Sequence, residues 1–212
     1  MKKGLLLIAL VVVLVGGYFA IFSKKKSGTN DTVTTKDEKQ SRLSISKNPQ
    51  QFNDTFSNML HSYFSVKDDL VNWDSTKAGN DAVALAQLAS ALPVNILKGD
   101  SNLVITAKNF AGAIATQSKA VTEAKTIQDK RRAFSVVSDN LYSLINTVRY
   151  DKERMFYDMC PMAFNESEQG YWLSKDSAIQ NPYLGNKHPK YKGAMVTCGS
   201  VEQTIDYANA KK

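Results

Sequence analysis

The chain has 212 residues, 43% of them hydrophobic and 9% aromatic, with 27 Lys and Arg against 20 Asp and Glu, a net charge of +7. That supports one domain of ordinary size with appendages and excludes wholesale disorder. The basic excess would suit a nucleic-acid binder, but five lysines and no acid lie in residues 1–26, so the remainder holds 22 basic and 20 acidic side chains, a balance of only +2. Without a basic body the case for a phosphate-binding surface loses its support, and no nucleic-acid partner is expected.

Residues 4–22, GLLLIALVVVLVGGYFAIF, carry no charge and are bracketed by Lys2-Lys3 and Lys24-Lys25-Lys26. A helix of that length spans about 28 Å, close to the hydrocarbon thickness of a bilayer. Tyr18 and Phe19 fall near one end, where interfacial aromatics gather. Residues 1–26 therefore read as a transmembrane signal-anchor. A cleaved signal peptide is the alternative, with only a weak cleavage site at Ile21-Phe22-Ser23. The expected placement is single-pass in a bacterial inner membrane, with the C-terminal body in the periplasm. Residues 27–49 are polar, of mixed charge and poor in large apolar side chains, which predicts a flexible tether.

The domain is placed at residues 50–205. Phe52, Phe56, Met59, Tyr63, Val66 and Leu70 form one helical stripe, and Pro49 just ahead of it suits a helix start. Asn72, Asp74, Ser75 and Gly79 interrupt the pattern. Asp81 is the expected cap of a second, Ala-rich helix through Val83, Leu85, Leu88, Ala89 and Leu92, ended by Pro93. Gly99-Asp100-Ser101 opens a third, with Leu103, Ala107, Phe110, Ile114 and Val121 in register. Phe134, Val137, Leu141, Leu144 and Val148 make a fourth. The predicted fold is all-α: an antiparallel four-helix bundle after an N-terminal transmembrane helix. Residues 151–201 hold both cysteines and three of the five prolines without a sustained period, and predict an irregular C-terminal segment with a short strand at residues 195–197.

In that segment the sulfur groups form two clusters, Met159-Cys160-Pro161-Met162 and Met195-Val196-Thr197-Cys198. In an extended C-P-M unit Cys160 and Met162 share a side, and a turn brings Met195 and Cys198 onto one face. Cys160, Met162, Met195 and Cys198 are soft donors that suit Cu(I) rather than Mg or Ca; Met159 and His188 are further donors. Two cysteines in an exported chain also suit a Cys160–Cys198 disulfide, or free buried thiols without metal, and all three readings stay open. No catalytic grouping is present: there is no Ser/His/Asp set, phosphate loop, H-E-x-x-H or C-x-x-C, and His61 and His188 lie far apart. An enzyme is not expected.

Taken in order, C-P-M-A at 160–163, W-L-S at 172–174, N-P-Y-L-G at 181–185 and M-x-x-C-G at 195–199 resemble a bacterial domain family of unknown function. That family occurs alone or at the C-terminus of periplasmic adaptors of copper/silver efflux pumps. The resemblance implies extracytoplasmic copper handling, with Cys160, Met162, Met195 and Cys198 as ligands and an efflux-pump adaptor or other metal-handling protein as partner. Two departures stand out: Leu184 replaces the usual aromatic, and residues 186–194 form an insertion ahead of M-x-x-C-G that reads as a lengthened surface loop. Trp172 and Tyr183 are expected to pack the segment onto the bundle, beside the sulfur groups.

Overall fold

The computed structural model describes residues 48–209. The apolar segment 4–22, and with it the expected anchor and most of the tether, lies outside the described residues. Among these, no helix is long and apolar enough to cross a membrane.

Four helices follow one another: α1 (Gln50–Val71), α2 (Ser75–Ser90), α3 (Ser101–Glu123) and α4 (Ile127–Val148). Each packs against the next. The stripes read from the sequence are the packed faces, with Phe52, Phe56, Met59, Tyr63, Val66 and Leu70 all buried and Phe134, Val137, Leu141 and Leu144 buried opposite them. Asp100 caps α3 by accepting from Leu103 N at 2.8 Å, and Thr126 caps α4 by accepting from Asp129 N at 3.1 Å. One start differs from expectation. Asp74, not Asp81, caps α2, accepting from Lys77 N at 2.9 Å. Gly79 therefore lies inside the helix, buried under Lys130, whose Nζ would sit 2.8 Å from an added Cβ. A glycine read as a break marks a close approach between helices instead. Val83, expected in the core, is 41% exposed.

The all-α expectation is corrected by a sheet. β1 (Met155–Phe164), β2 (Glu168–Ser174) and β3 (Ser200–Ile205) form a three-stranded antiparallel sheet in the order β2-β1-β3. The central strand shows no period of two because side chains from both of its faces are buried or half-buried, so polar residues do not alternate along it. Pro161 is tolerated because it is exposed at an irregularity in the β1–β2 register between Cys160 and Phe164. The hairpin turns on Asn165 and Glu166, both at positive φ (51° and 61°), with Ser167 N donating to Phe164 O. Three residues, Asn165 to Ser167, thus separate the paired Phe164 and Glu168, and the turn is made without the usual glycine. The strand expected at 195–197 is a turn, and the strand begins three residues after it.

Two tyrosines lock the sheet to the helices. Tyr63 OH accepts the outward N–H of Leu173 at 3.0 Å and lies 2.8 Å from Ser138 Oγ. Ser138 uses its own proton on Phe134 O, so Tyr63 is the donor of that pair. Tyr183 OH donates to Tyr171 O. Both backbone groups belong to the outer edge of β2, where no strand would satisfy them. Tyr157 and Tyr142 stack at 4.0 Å between ring centroids, tying β1 to α4.

Candidate functional site

Cys160 lies on the central strand opposite Gly170, and its side chain is fully buried. The chain from 175 returns across the sheet and reaches the M-x-x-C turn, closed by Cys198 N donating to Met195 O at 3.0 Å. At the end of that turn Cys198 Sγ lies 2.8 Å from Cys160 Sγ, both cysteines being free thiols. Gly199 makes this approach possible. Its φ is +141°, and an added Cβ would stand 2.6 Å from Met159 O and 2.9 Å from the Trp172 ring. Burial, with the neighbouring thiol, pushes Cys198 up to about 12. Cys198 therefore keeps its proton at neutral pH, which disfavours its use as a nucleophile.

Asn181 holds the turn. Its backbone N–H donates to Val196 O at 2.8 Å, and its Nδ2 donates to Cys198 O at 2.8 Å. Its Oδ1 accepts from Tyr183 N and Leu184 N at 2.8 and 3.1 Å, an Asx turn that gives N-P-Y-L-G its shape. That loop is in turn fixed to the helices. Trp73, in a left-handed conformation after α1 (φ 63°), donates Nε1–H to Leu184 O at 2.8 Å. Gly185, at φ +61°, packs where a Cβ would meet Trp73 Nε1 and Val71 O at 2.6 Å each. Arg131, fully buried on α4, donates Nε–H to Pro182 O at 2.8 Å and Nη2–H to Leu70 O at 3.0 Å, and lies 4.0 Å from the Trp73 ring centroid. It has no carboxylate among these partners, and burial alone pushes its guanidinium down to about 9.

The structure divides the donors read from the sequence. Cys160 and Cys198 come together, and Met195 shares the Cys198 turn. Met159 is the strand neighbour of Cys160 and so falls on the alternate face of β1. Met162 and His188 instead line a separate cleft of about 260 Å³ with Phe164, Glu166 and Tyr191, whose lining includes neither cysteine. His188 Nδ1 accepts from Lys190 N and Tyr191 N at 3.2 and 3.3 Å. The ring proton is therefore on Nε2, and no lone pair faces outward for a metal. The inserted segment 186–194 behaves as the loop expected of it, closed by a His188–Lys192 bridge. Among the described residues, no cluster of three or more His, Cys, Asp and Glu side chains could enclose a metal ion. What the geometry supplies is a dithiol with a thioether in the same turn, a donor set suited to a soft cation of low coordination number. Trp172 and Tyr183 are buried, their rings 5.8 Å apart edge to face.

Arg131, Trp73 and Asn181 were not singled out by sequence. Arg131 had a usable signal, since it stands three residues before Phe134 on the α4 stripe. In a Lys130-Arg131-Arg132 run it reads as solvated.

Asp158 is buried two residues before Cys160. One carboxylate oxygen accepts from Ser174 Oγ, and the other has no hydrogen-bond partner. Burial pushes it up to about 6, against the hydrogen bond from Ser174 and the charge of Lys67. A carboxyl that holds its proton more tightly folded than unfolded favours the fold below its unfolded value near 4. That contribution is lost as pH rises through about 6. Asp158→Asn is therefore expected to raise stability at pH 8 by on the order of 2 kcal/mol and to change it little at pH 4. Urea unfolding of both proteins at the two pH values checks this, and an equal effect at both would contradict it.

Residues 59–153 are similar to a family described as Protein of unknown function (DUF3347). The match runs from the middle of α1 to just before β1 and reaches neither cysteine. No curated protein and no solved structure matches the chain.

Proposed function

We propose that this protein is a membrane-tethered, extracytoplasmic binding domain for a soft monovalent cation, Cu(I), held by Cys160 and Cys198 and buffered or passed on to an efflux system. The observation that carries the reading is the meeting of two thiols from motifs 38 residues apart in sequence, 2.8 Å from each other on a buried strand and a turn. The resemblance of those motifs to a family associated with copper efflux supplies the choice of metal. With metal–sulfur bonds of about 2.3 Å, two sulfurs on one ion lie on the order of 4 Å apart. The Cys198 turn, which is half-exposed, must therefore ease outward while Cys160 stays fixed in the sheet. Both thiols lose their protons on binding, so the apparent affinity should rise by about a hundredfold per pH unit below the thiol range.

The test is competition for Cu(I) between a colorimetric chelator and the reduced full-length chain in detergent. One equivalent bound, with that pH slope, is the expected result. Equal binding by the Cys160→Ser/Cys198→Ser variant would overturn the reading.

A second reading is favoured by the same short separation: a structural disulfide that closes a loop of about 39 residues and is worth roughly 4 kcal/mol. It predicts no free thiol in protein purified without reductant. Two titratable thiols in that preparation would dismiss it.

A further inference from the structure

Asn181 stands outside both sulfur motifs, yet it makes the only side-chain hydrogen bond that the described residues give to the Cys198 backbone. It is fully buried, and each of its polar groups is used. The carbonyl oxygen of the side chain shapes the N-P-Y-L-G loop, while the main-chain N–H and the side-chain NH₂ both grip the M-x-x-C turn, at Val196 O and Cys198 O. No other residue type combines that acceptor with that donor at this length: Asp lacks the donor and Ser is too short to reach. The loop carrying Asn181 is itself pinned by Arg131 and Trp73 to the ends of α4 and α1. Cys160 is set by the sheet, while Cys198 lies between this turn and the pairing of Ser200 with Met159, so the Asn181 amide is a hold on the pair that can be removed without touching sulfur or strand.

We infer that Asn181 is the positioning residue of the thiol pair: its amide holds the Cys198 turn so that the two sulfurs stay in contact, and so sets how readily they act as a unit. The inference rests on the reading that this pair is the working group of the protein. It concerns the pair itself and needs no metal.

The test uses the full-length chain in detergent, equilibrated with mixtures of reduced and oxidised glutathione. The reaction joins Cys160 Sγ to Cys198 Sγ and breaks the S–S bond of oxidised glutathione. Two electrons pass from the cysteine pair to glutathione, and the two thiol protons end on the two glutathione thiols. Asn181→Ser keeps an oxygen to cap the loop and removes the amide donor. It should lower the equilibrium constant for the protein disulfide about five- to tenfold, the scale of one lost hydrogen bond. Asp100→Ala, which removes the exposed cap of α3 and touches neither the loop nor the turn, should leave that constant within about twofold. An unchanged constant in Asn181→Ser would overturn the inference, as would an equal fall in Asp100→Ala. Asn181→Asp, which also keeps the cap and loses the donor, serves as the second variant. If neither variant folds, by far-UV circular dichroism, Asn181 holds the whole loop and the inference fails. A normal glutathione response in all variants, with Cu(I) binding intact in the wild type, would sink the role of Asn181 alone. Absence of Cu(I) binding beside the expected glutathione pattern would sink the metal reading alone.

Discussion

Arg131→Ala is expected to cost about 3–5 kcal/mol of stability, the scale of losing two buried hydrogen bonds made by a charged group. The guanidinium is fully buried and bridges two chain segments, the end of α1 through Leu70 O and the N-P-Y-L-G loop through Pro182 O. Removing it takes the side-chain donor from Pro182 O, leaves Leu70 O with backbone donors alone, empties the volume under the Trp73 ring and loosens the loop that carries Asn181. Arg131→Met refills much of the volume but not the hydrogen bonds, so it should recover only part of the loss. Both tryptophans, Trp73 and Trp172, stand in the affected region, and urea unfolding followed by their fluorescence would read the change directly. A loss under about 1 kcal/mol would show that the buried cation, with one nitrogen unpartnered, contributes no more than a surface residue.

Gly199→Ala is the second large effect. The position combines a backbone conformation that L side chains rarely adopt with a steric limit set by the backbone of β1. A carbonyl 2.6 Å from the new methyl group cannot swing away as a flexible side chain would, because Met159 is paired in the sheet with Ser200. Either β3 or the Cys198 turn must move. The expected result is a loss of about 3 kcal/mol or more, with Cys198 separated from Cys160 and more reactive toward a thiol reagent. The two readouts belong together. A destabilised protein whose thiols still close into a disulfide as readily as the wild type would place the movement in β3. An unchanged melting temperature would refute the steric argument.

The helical half of the molecule was legible because it obeys one rule: one face of each helix is buried, and the stripes from Phe52 to Leu70 and from Phe134 to Val148 record it. The sheet was hidden by the failure of the corresponding rule. β1 is covered on both faces, Asp158 is buried in it, and Pro161 sits at a register irregularity, so neither alternation nor apolar continuity marks it as a strand. Of the site, the sulfur motifs and the turn character of N-P-Y-L-G could be read locally. The division of the donors could not. Met162 follows Cys160 by two residues, which in a regular strand would place them together, but the irregularity beyond Cys160 sends Met162 to the cleft with His188. The ties at Arg131 and Trp73 join segments 50 or more residues apart through single polar atoms, that at Asn181 reaches 17 residues on, and such contacts leave no periodic trace.

The two tyrosine hydroxyls on β2 have a consequence for how the molecule meets other chains. Each occupies a backbone position that a foreign strand would need, so that side of the sheet offers no template for pairing. Growth of the sheet is directed to β3, where Ser200 to Thr204 are exposed and Glu202 places a charge in the path of an apolar strand. Among the described residues, self-association of damaged copies through strand pairing is left to this edge of the sheet, and it lies beside the turn that carries Cys198.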